Sequence, residues 1–236
     1  MIRAIFFDMG GTLDGDGIHW LERFVGLYGE AGVRLPRETL RAAFDHAEAR
    51  SATDETMATA SLETMVDRHV GWQIEHLAQD RVLEPSAALR RRLADGFVAP
   101  VRAAAAANVR LLADLSARRL RLGVVSNGCG NVDVLCAELG YSPYLSVIVD
   151  SRRAGLYKPD PAIFIYAAAK IELRASSVMM VGDSFDRDVR PAKSIGMMTA
   201  WLEGPVPRPC PDPSLADVRL RHLAELPGML EMRASA

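Results

Sequence analysis

Short apolar segments recur along the chain, each bounded by glycine, asparagine, aspartate or proline. The clearest of them cover residues 2–7, 121–128, 145–150, 177–183 and 198–204. Apolar runs of this length are typical of strands that are buried on both faces of a parallel sheet. Helical patterns of about ten to fifteen residues separate several of these segments. The alternation predicts an α/β fold with a doubly wound parallel sheet.

Residues 15–101 break this alternation, because they contain almost no β-branched runs and carry apolar residues at helical spacing: Ile18, Leu21, Val25 and Tyr28. Three prolines punctuate the segment, namely Pro36, Pro85 and Pro100. We therefore predict an α/β core formed by 1–14 and 102–236, interrupted by a helical insert. An Ala-rich helix over 101–115 should resume the core, and the Pro-rich stretch 204–214 should be a surface loop before a final strand and helix.

Composition limits the possible partners of the protein. The chain has 236 residues, 49% of them hydrophobic, with a net charge of -2, so it should fold as a globule without a basic surface for nucleic acid or anionic membranes. It has neither a signal-peptide pattern nor a run of about 20 apolar residues that could span a membrane. The three cysteines, Cys129, Cys136 and Cys210, have no paired metal spacing. We expect a cytoplasmic protein with a small-molecule substrate, and the oligomeric state stays open.

Polar residues follow the predicted strands at their carboxyl ends, where ligands bind in open parallel sheets. Asp8 closes the first strand, Ser126 and Asn127 close the second, Lys158 follows the third, and Asp183 closes the fourth. Each residue taken alone has an ordinary interpretation as a helix cap, a turn former or a solvated charge. Together they supply a nucleophilic carboxylate, groups that bind oxyanions, a cation and acidic metal ligands. This combination predicts a phosphoryl-transfer site.

The same positions carry four motifs that resemble those of the haloacid dehalogenase-like (HAD) superfamily of hydrolases. The motifs are "FFDMGGTLD" at 6–14, "VVSNG" at 124–128, "YKPDP" at 157–161 and "VGDSFDRDV" at 181–189. The resemblance extends over residues 2–15 and about 101–204. It implies a Rossmann-like core, and it implies that the insert is a helical cap that closes over the site and helps to select the substrate.

The resemblance also implies roles for individual residues. Asp8 would be the nucleophile that forms an aspartyl-phosphate, assisted by the cation of Lys158. The phosphate would be bound by Gly11, Thr12, Ser126, Asn127 and Lys158. Mg²⁺ would be held by Asp8, the Gly10 carbonyl, Asp183 and Asp188. The implied function is a Mg²⁺-dependent phosphatase for a small phosphorylated metabolite.

The chain departs from the phosphatase pattern at Gly10, where the family's phosphatases usually carry a second aspartate that protonates the leaving group. Such an acid/base group contributes roughly 10²–10⁴-fold to rate. Three explanations stay open: Asp14, Asp16 or His19 substitutes for it; the leaving group of an acyl or aryl phosphate needs little protonation; or the protein is a weakly active or inactive relative that binds phosphorylated ligands.

Other chemistries fit the sequence less well. A phosphonate hydrolase of the family uses a cap lysine, but the lysines of this chain are Lys158, Lys170 and Lys193, all outside the insert. A haloacid dehalogenase works without metal and has no need of Asp183 and Asp188, so the presence of these two residues argues against it. Cleavage of a carbon–halogen bond is kept as an alternative. A phosphorylation-receiving signalling domain would be much shorter and would lack the insert.

Overall fold

The computed structural model describes residues 1–206 and 208–234, which contain one six-stranded parallel sheet. Its strands are β1 (Ala4–Phe7), β2 (Arg121–Ser126), β3 (Leu145–Asp150), β4 (Val178–Gly182), β5 (Met198–Leu202) and β6 (Val218–Leu220). The strand order is β3-β2-β1-β4-β5-β6. The order reverses on either side of β1, which is the position where open α/β sheets bind ligands. The predicted doubly wound α/β fold is confirmed.

The central strand β1 determines where the site forms. All four of its residues have no exposed surface, as expected for a strand covered by helices on both faces. Its register pairs Phe7 with Val124 of β2 and with Val181 of β4. Asp8 therefore leaves the sheet between the ends of these two neighbours, close to Ser126 and Asp183.

Nine α-helices occur within the described residues. They are α1 (Trp20–Glu30), α2 (Arg37–Thr53), α3 (Leu62–Gln79), α4 (Ala87–Ala117), α5 (Val132–Glu138), α6 (Ser151–Ala154), α7 (Ala162–Lys170), α8 (Arg190–Ser194) and α9 (Leu226–Ala234). The insert is helical, as its periodicity predicted. Serine side chains cap two of its helices: Ser61 accepts from the Thr64 N–H at the start of α3, and Ser86 accepts from the Leu89 N–H at the start of α4.

Helix α4 corrects one expectation. The sequence predicted a break at Pro100 and a separate helix over 101–115, but one helix of 31 residues runs through Pro100. A proline inside a helix costs about 3 kcal/mol because its N–H is missing. Packing outweighs that cost, since Phe97 and Val101 are fully buried while Pro100 faces solvent. The division into a core (1–14 and 102–236) and a cap (15–101) stays a prediction, and residues 235–236 lie outside the described part of the chain.

The end of the chain follows the predicted pattern. The Pro-rich stretch 204–214 contains neither helix nor strand in its described residues, and Pro207 lies outside them. Strand β6 and helix α9 follow it, so the predicted final strand and helix are confirmed. Across 1–206 and 208–234, no helix is both long and apolar enough to cross a bilayer.

The loop that joins β1 to α1 is fastened to the C-terminal part of the chain. The Asp16 carboxylate accepts the Leu223 N–H at 2.8 Å and contacts the His222 ring nitrogen at 2.7 Å. Gly17 packs against Gly204 so closely that a Cβ at position 17 would lie 2.3 Å from the Gly204 Cα. The loop that follows Asp8 therefore has a fixed path.

This contact predicts that Gly17→Ala destabilises the protein more than Gly32→Ala does. Both glycines have positive φ, +90° and +83°, but an added Cβ at Gly32 meets nothing within 4 Å. The backbone penalty is common to both variants, so the steric clash should appear as an extra loss of about 1–3 kcal/mol in the free energy of unfolding. Urea denaturation measures both values. Equal losses would contradict the tight Gly17–Gly204 contact.

Candidate active site

A buried ion triad lies at the carboxyl end of β1. The Lys158 ammonium donates hydrogen bonds of 2.6 Å to Oδ1 of Asp8 and 2.6 Å to Oδ1 of Asp188. All three side chains are buried. Burial alone would lower the pKa of Lys158, but the charges and hydrogen bonds of Asp188 and Asp8 outweigh it and raise that pKa above its ordinary value. Lys158 is therefore a fixed cation that orients the Asp8 carboxylate.

Asn127 determines where Lys158 sits. Its side-chain amide donates to the Lys158 carbonyl at 2.9 Å, and its side-chain oxygen accepts the Lys158 N–H at 2.8 Å. This pair of bonds joins the end of β2 to the loop that precedes α7. The Asn127 amide is thus used within the protein, and its predicted contact with phosphate stays a prediction.

Three carboxylates converge beside this cation. Oxygen atoms of Asp8, Asp183 and Asp188 lie within 4.8 Å of one another, and all three residues are buried. Burial raises the pKa of Asp183 well above its ordinary value, and the charges of Asp8 and Asp188 raise it further. Burial also raises the pKa of Asp188 to about 6, although Lys158 opposes the shift. Carboxylates outnumber ammonium groups here, so the oxygen-rich cluster is suited to a hard divalent cation such as Mg²⁺.

The turn after Asp8 positions Asp183. Thr12 is fully buried, and its hydroxyl accepts the Asp183 N–H at 3.1 Å. A Cβ at Gly11 would lie 2.7 Å from a carboxylate oxygen of Asp183, so a glycine is needed for this approach. The Gly11 N–H donates to the Asp14 carboxylate at 2.6 Å. Gly11 and Thr12 thus support their neighbours, and their predicted contacts with phosphate stay predictions.

Ser126 has a different position. It is buried at the end of β2 and lines a cavity of about 300 Å³. Its hydroxyl has no hydrogen-bond partner in the described part of the protein, so it can bind a ligand. Strand ends and insert helices together line this cavity; the lining includes Asp8, Lys158, Asp183, Trp20, Phe44 and Met65.

Of the three candidates for the missing acid, Asp16 lies away from the cavity, bound to the C-terminal segment. His19 lines the cavity and caps α1, with Nδ1 accepting the Leu21 N–H at 3.2 Å. Its Nε2 lies 3.1 Å from the Arg187 guanidinium. Burial and the Arg187 charge lower the pKa of His19, which disfavours its charged form.

Asp14 also lines the cavity. Its carboxylate accepts from the Gly11 N–H and, at 2.7 Å, from the Trp20 indole N–H. Burial raises the pKa of Asp14 and outweighs the nearby Arg23 cation. A proton on Asp14 would compete with the N–H donors of Gly11 and Trp20, and His19 lines the same cavity, so both residues stay candidates for the proton donor.

The backbone at Gly10 does not require glycine. Its φ and ψ are -74° and 116°, which any L-amino acid adopts. A Cβ there would lie 3.5 Å from the Trp20 indole nitrogen, an ordinary van der Waals distance. A Cβ therefore fits at this position, and the turn itself does not impose a glycine.

The cavity also contains polar residues that the sequence analysis did not single out: Glu48, Ser51, His69 and Arg187. Glu48 and Ser51 lie one turn apart on α2, and His69 lies on α3 among residues of its buried face. In the sequence these residues could be recognised only as polar positions on otherwise apolar helix faces. That pattern identifies a face but not what lies opposite it.

The chain is similar to known hydrolases in sequence and in fold. A family model described as haloacid dehalogenase-like hydrolase matches residues 2–196. The glyceraldehyde 3-phosphate phosphatase of Methanocaldococcus jannaschii is 30% identical over 119 residues, which cover 50% of this chain and 52% of that protein. The chain thus spans about half the length of that relative.

Two further comparisons cover more of the chain. The phosphoglycolate phosphatase of Pectobacterium atrosepticum is 29% identical over 205 residues, covering 85% of this chain and 80% of that protein. A crystal structure described as a dehalogenase with an intermediate complex matches 97% of this chain and 96% of its own, with a TM-score of 0.66 and 18% identity. At that identity the structural likeness shows the fold alone.

The crowded carboxylates predict that Asp183→Asn stabilises the metal-free protein. The substitution keeps the side-chain volume but removes one buried negative charge, so in EDTA at neutral pH the free energy of unfolding should rise by about 1–3 kcal/mol. Asp186→Asn is the matched control, because the Asp186 side chain is 80% exposed, and it should change stability by less than about 0.5 kcal/mol. Urea denaturation provides the comparison. A less stable Asp183→Asn protein would show that like-charge repulsion is not the dominant effect.

Proposed function

Because the chain belongs to the haloacid dehalogenase-like hydrolase family, we propose that it is a Mg²⁺-dependent phosphatase acting on a small phosphorylated metabolite. The observation that carries the proposal is the Asp8 carboxylate, held by Lys158 within a buried cluster of acidic oxygens. The phosphatases among its relatives support the reaction class. The predicted division into core and cap belongs to the same proposal, with the insert covering the substrate.

Asp8 is proposed as the nucleophile. Lys158 binds its Oδ1, whereas Oδ2 accepts no hydrogen bond from the described residues and is free to attack phosphorus. The bond from phosphorus to the ester oxygen then breaks, which leaves an aspartyl-phosphate that water hydrolyses. The Lys158 cation and the Ser126 hydroxyl stabilise the charge on the phosphoryl oxygens during transfer.

Asp8, Asp183 and Asp188 would hold Mg²⁺ with the Gly10 carbonyl. Their hard oxygen atoms and excess negative charge fit this ion. Bound Mg²⁺ would offset charge on the phosphoryl group. Lys158 holds the Asp188 carboxylate, and the Thr12 hydroxyl accepts the Asp183 backbone N–H and so fixes the main chain that carries the Asp183 carboxylate.

Protonation of the leaving group is the step that Gly10 affects. Asp14 and His19 are the proposed donors, because both line the cavity. A substrate with a stable leaving group, such as an aryl or acyl phosphate, reduces the need for any donor. Both explanations predict an active enzyme, unlike the inactive-relative hypothesis.

The metal dependence separates phosphatase from dehalogenase chemistry. We predict that the protein hydrolyses phenyl phosphate with Mg²⁺, loses activity in EDTA, and is inhibited by Ca²⁺, which takes about six to eight ligands in a looser geometry. Asp8→Asn, the matched variant without a nucleophile, should abolish activity while the protein stays folded. Phosphate release is the measurement. Full activity in EDTA, or more than a few per cent of wild-type rate in Asp8→Asn, would contradict the proposal.

A second prediction concerns the leaving group. Gly10→Asp should increase the turnover of alkyl phosphates, by up to roughly 10²–10⁴-fold, and change aryl phosphates much less, because an alkoxide depends more on protonation. Gly10→Asn is the control, since it has the same size and no acid. Kinetics on matched alkyl and aryl esters test this, with circular dichroism to verify folding. If the folded aspartate variant shows no selective gain, Asp14 or His19 already donates the proton, or the reaction is not ester hydrolysis.

A further inference from the structure

Three side chains of the insert form a hydrogen-bonded chain that ends at the cavity. His69 Nε2 lies 2.9 Å from Oε1 of Glu48, and the Gln73 amide nitrogen lies 2.8 Å from His69 Nδ1. His69 and Gln73 are 1% exposed. The Glu48 side chain is 50% exposed and lines the cavity. A carboxylate at the cavity is thus supported by two buried groups behind it.

The direction of these bonds follows from the chemistry of their donors. In the orientation that the Gln73 amide has in the structure, its nitrogen donates to His69 Nδ1, which places the ring proton on Nε2. Nε2–H then donates to Glu48 Oε1. Burial would raise the pKa of Glu48, but the hydrogen bond from His69 and the charge of Arg187 outweigh it, and the pKa lies below its ordinary value. Glu48 is therefore an oriented anion at neutral pH.

Two polar groups beside this chain are available for a ligand. No described residue donates a hydrogen bond to the second oxygen of Glu48, Oε2. Ser51, one turn further along α2, also lines the cavity, and its buried hydroxyl has no partner in the described part of the protein. Buried polar groups are rarely left without a partner. Their common location points to a ligand group that donates hydrogen bonds.

The surroundings favour a cation over a neutral donor. The aromatic side chains of Trp20 and Phe44 line the same cavity, and aromatic faces attract cations. Arg187 is a cation that lines the same cavity, beside His19 and on the turn that carries Asp188. No ion pair within 4 Å joins Arg187 to Glu48 among the described residues. Arg187 therefore acts on Glu48 only at longer range, which leaves Oε2 of Glu48 open to a positive group.

We propose that Glu48 selects substrates bearing a protonated amino group, so that the enzyme acts on small phosphorylated amines. This inference rests on the proposed function, in which Asp8, which lines the same cavity, receives the phosphoryl group. Glu48 Oε2 binds the ammonium group, while His69 and Gln73 hold the carboxylate in position. The Ser51 hydroxyl accepts a second N–H from the same group.

The test uses three para-substituted phenyl phosphates that differ in one group: aminomethyl, hydroxymethyl and carboxyl. Phosphate release gives kcat and KM for the wild type, for Glu48→Gln and for Glu75→Gln. Glu75 is the matched control, because it is an exposed glutamate of α3 paired with Arg50 and does not line the cavity. Calorimetric binding to Asp8→Asn protein with Mg²⁺ measures the same selectivity without turnover.

We expect the wild type to prefer the aminomethyl over the hydroxymethyl compound by roughly 10- to 100-fold, mainly in KM, which is the range for a hydrogen bond to a charged group. Glu48→Gln should remove this preference, and Glu75→Gln should keep it. Equal use of the two compounds, a preference for the carboxyl compound, or a preference that survives in Glu48→Gln would overturn the inference while leaving the phosphatase proposal intact. No binding and no turnover of any compound would contradict the proposed function, and this inference with it.

Discussion

The site depends on the ion pairs that the buried Lys158 ammonium makes with Asp8 and Asp188. Without it, Asp8, Asp183 and Asp188 would bring three like charges together in a low-dielectric region, an arrangement that folding alone would not stabilise. With it, Asp8 and Asp188 are oriented and a surplus of negative charge remains. The Asn127 bonds and the central position of β1 keep these groups in register. The same surplus that disfavours the metal-free protein is what attracts a divalent ion.

Much of this architecture was predictable from the sequence, because buried parallel strands are continuous apolar runs whose ends are visible as polar residues. The fold and the clustering of Asp8, Lys158 and Asp183 follow from that pattern. The direction of hydrogen bonds does not. Thr12 and Asn127 carry groups that suit a phosphate, yet both are bound within the protein. Which partner a polar side chain takes depends on distances that only the folded chain defines.

In the helical insert, too, the sequence predicts the elements but not the contacts between their side chains. Helical periodicity identified its elements, but the Glu48–His69–Gln73 chain joins two helices whose relative positions are set by packing. At Gly10 the sequence and the structure give different information. The sequence identifies a missing carboxylate, and the backbone angles and the space around Gly10 show that a Cβ is permitted there. The conformation of the turn therefore does not explain the glycine.

The continuity of α4 has a mechanical consequence. One connection between the insert and the core is the loop after β1, which Asp16 fixes in place. The other is α4, which runs from the insert into the core with no loop between them. Helix α4 contacts α1 and α3 in the insert and β2 in the sheet. A movement of the insert relative to the sheet would have to bend α4, and Pro100 is the position where that helix lacks an N–H donor. The insert is thus joined to the sheet by one pinned loop and one continuous helix, a connection that restricts its movement more than two flexible linkers would.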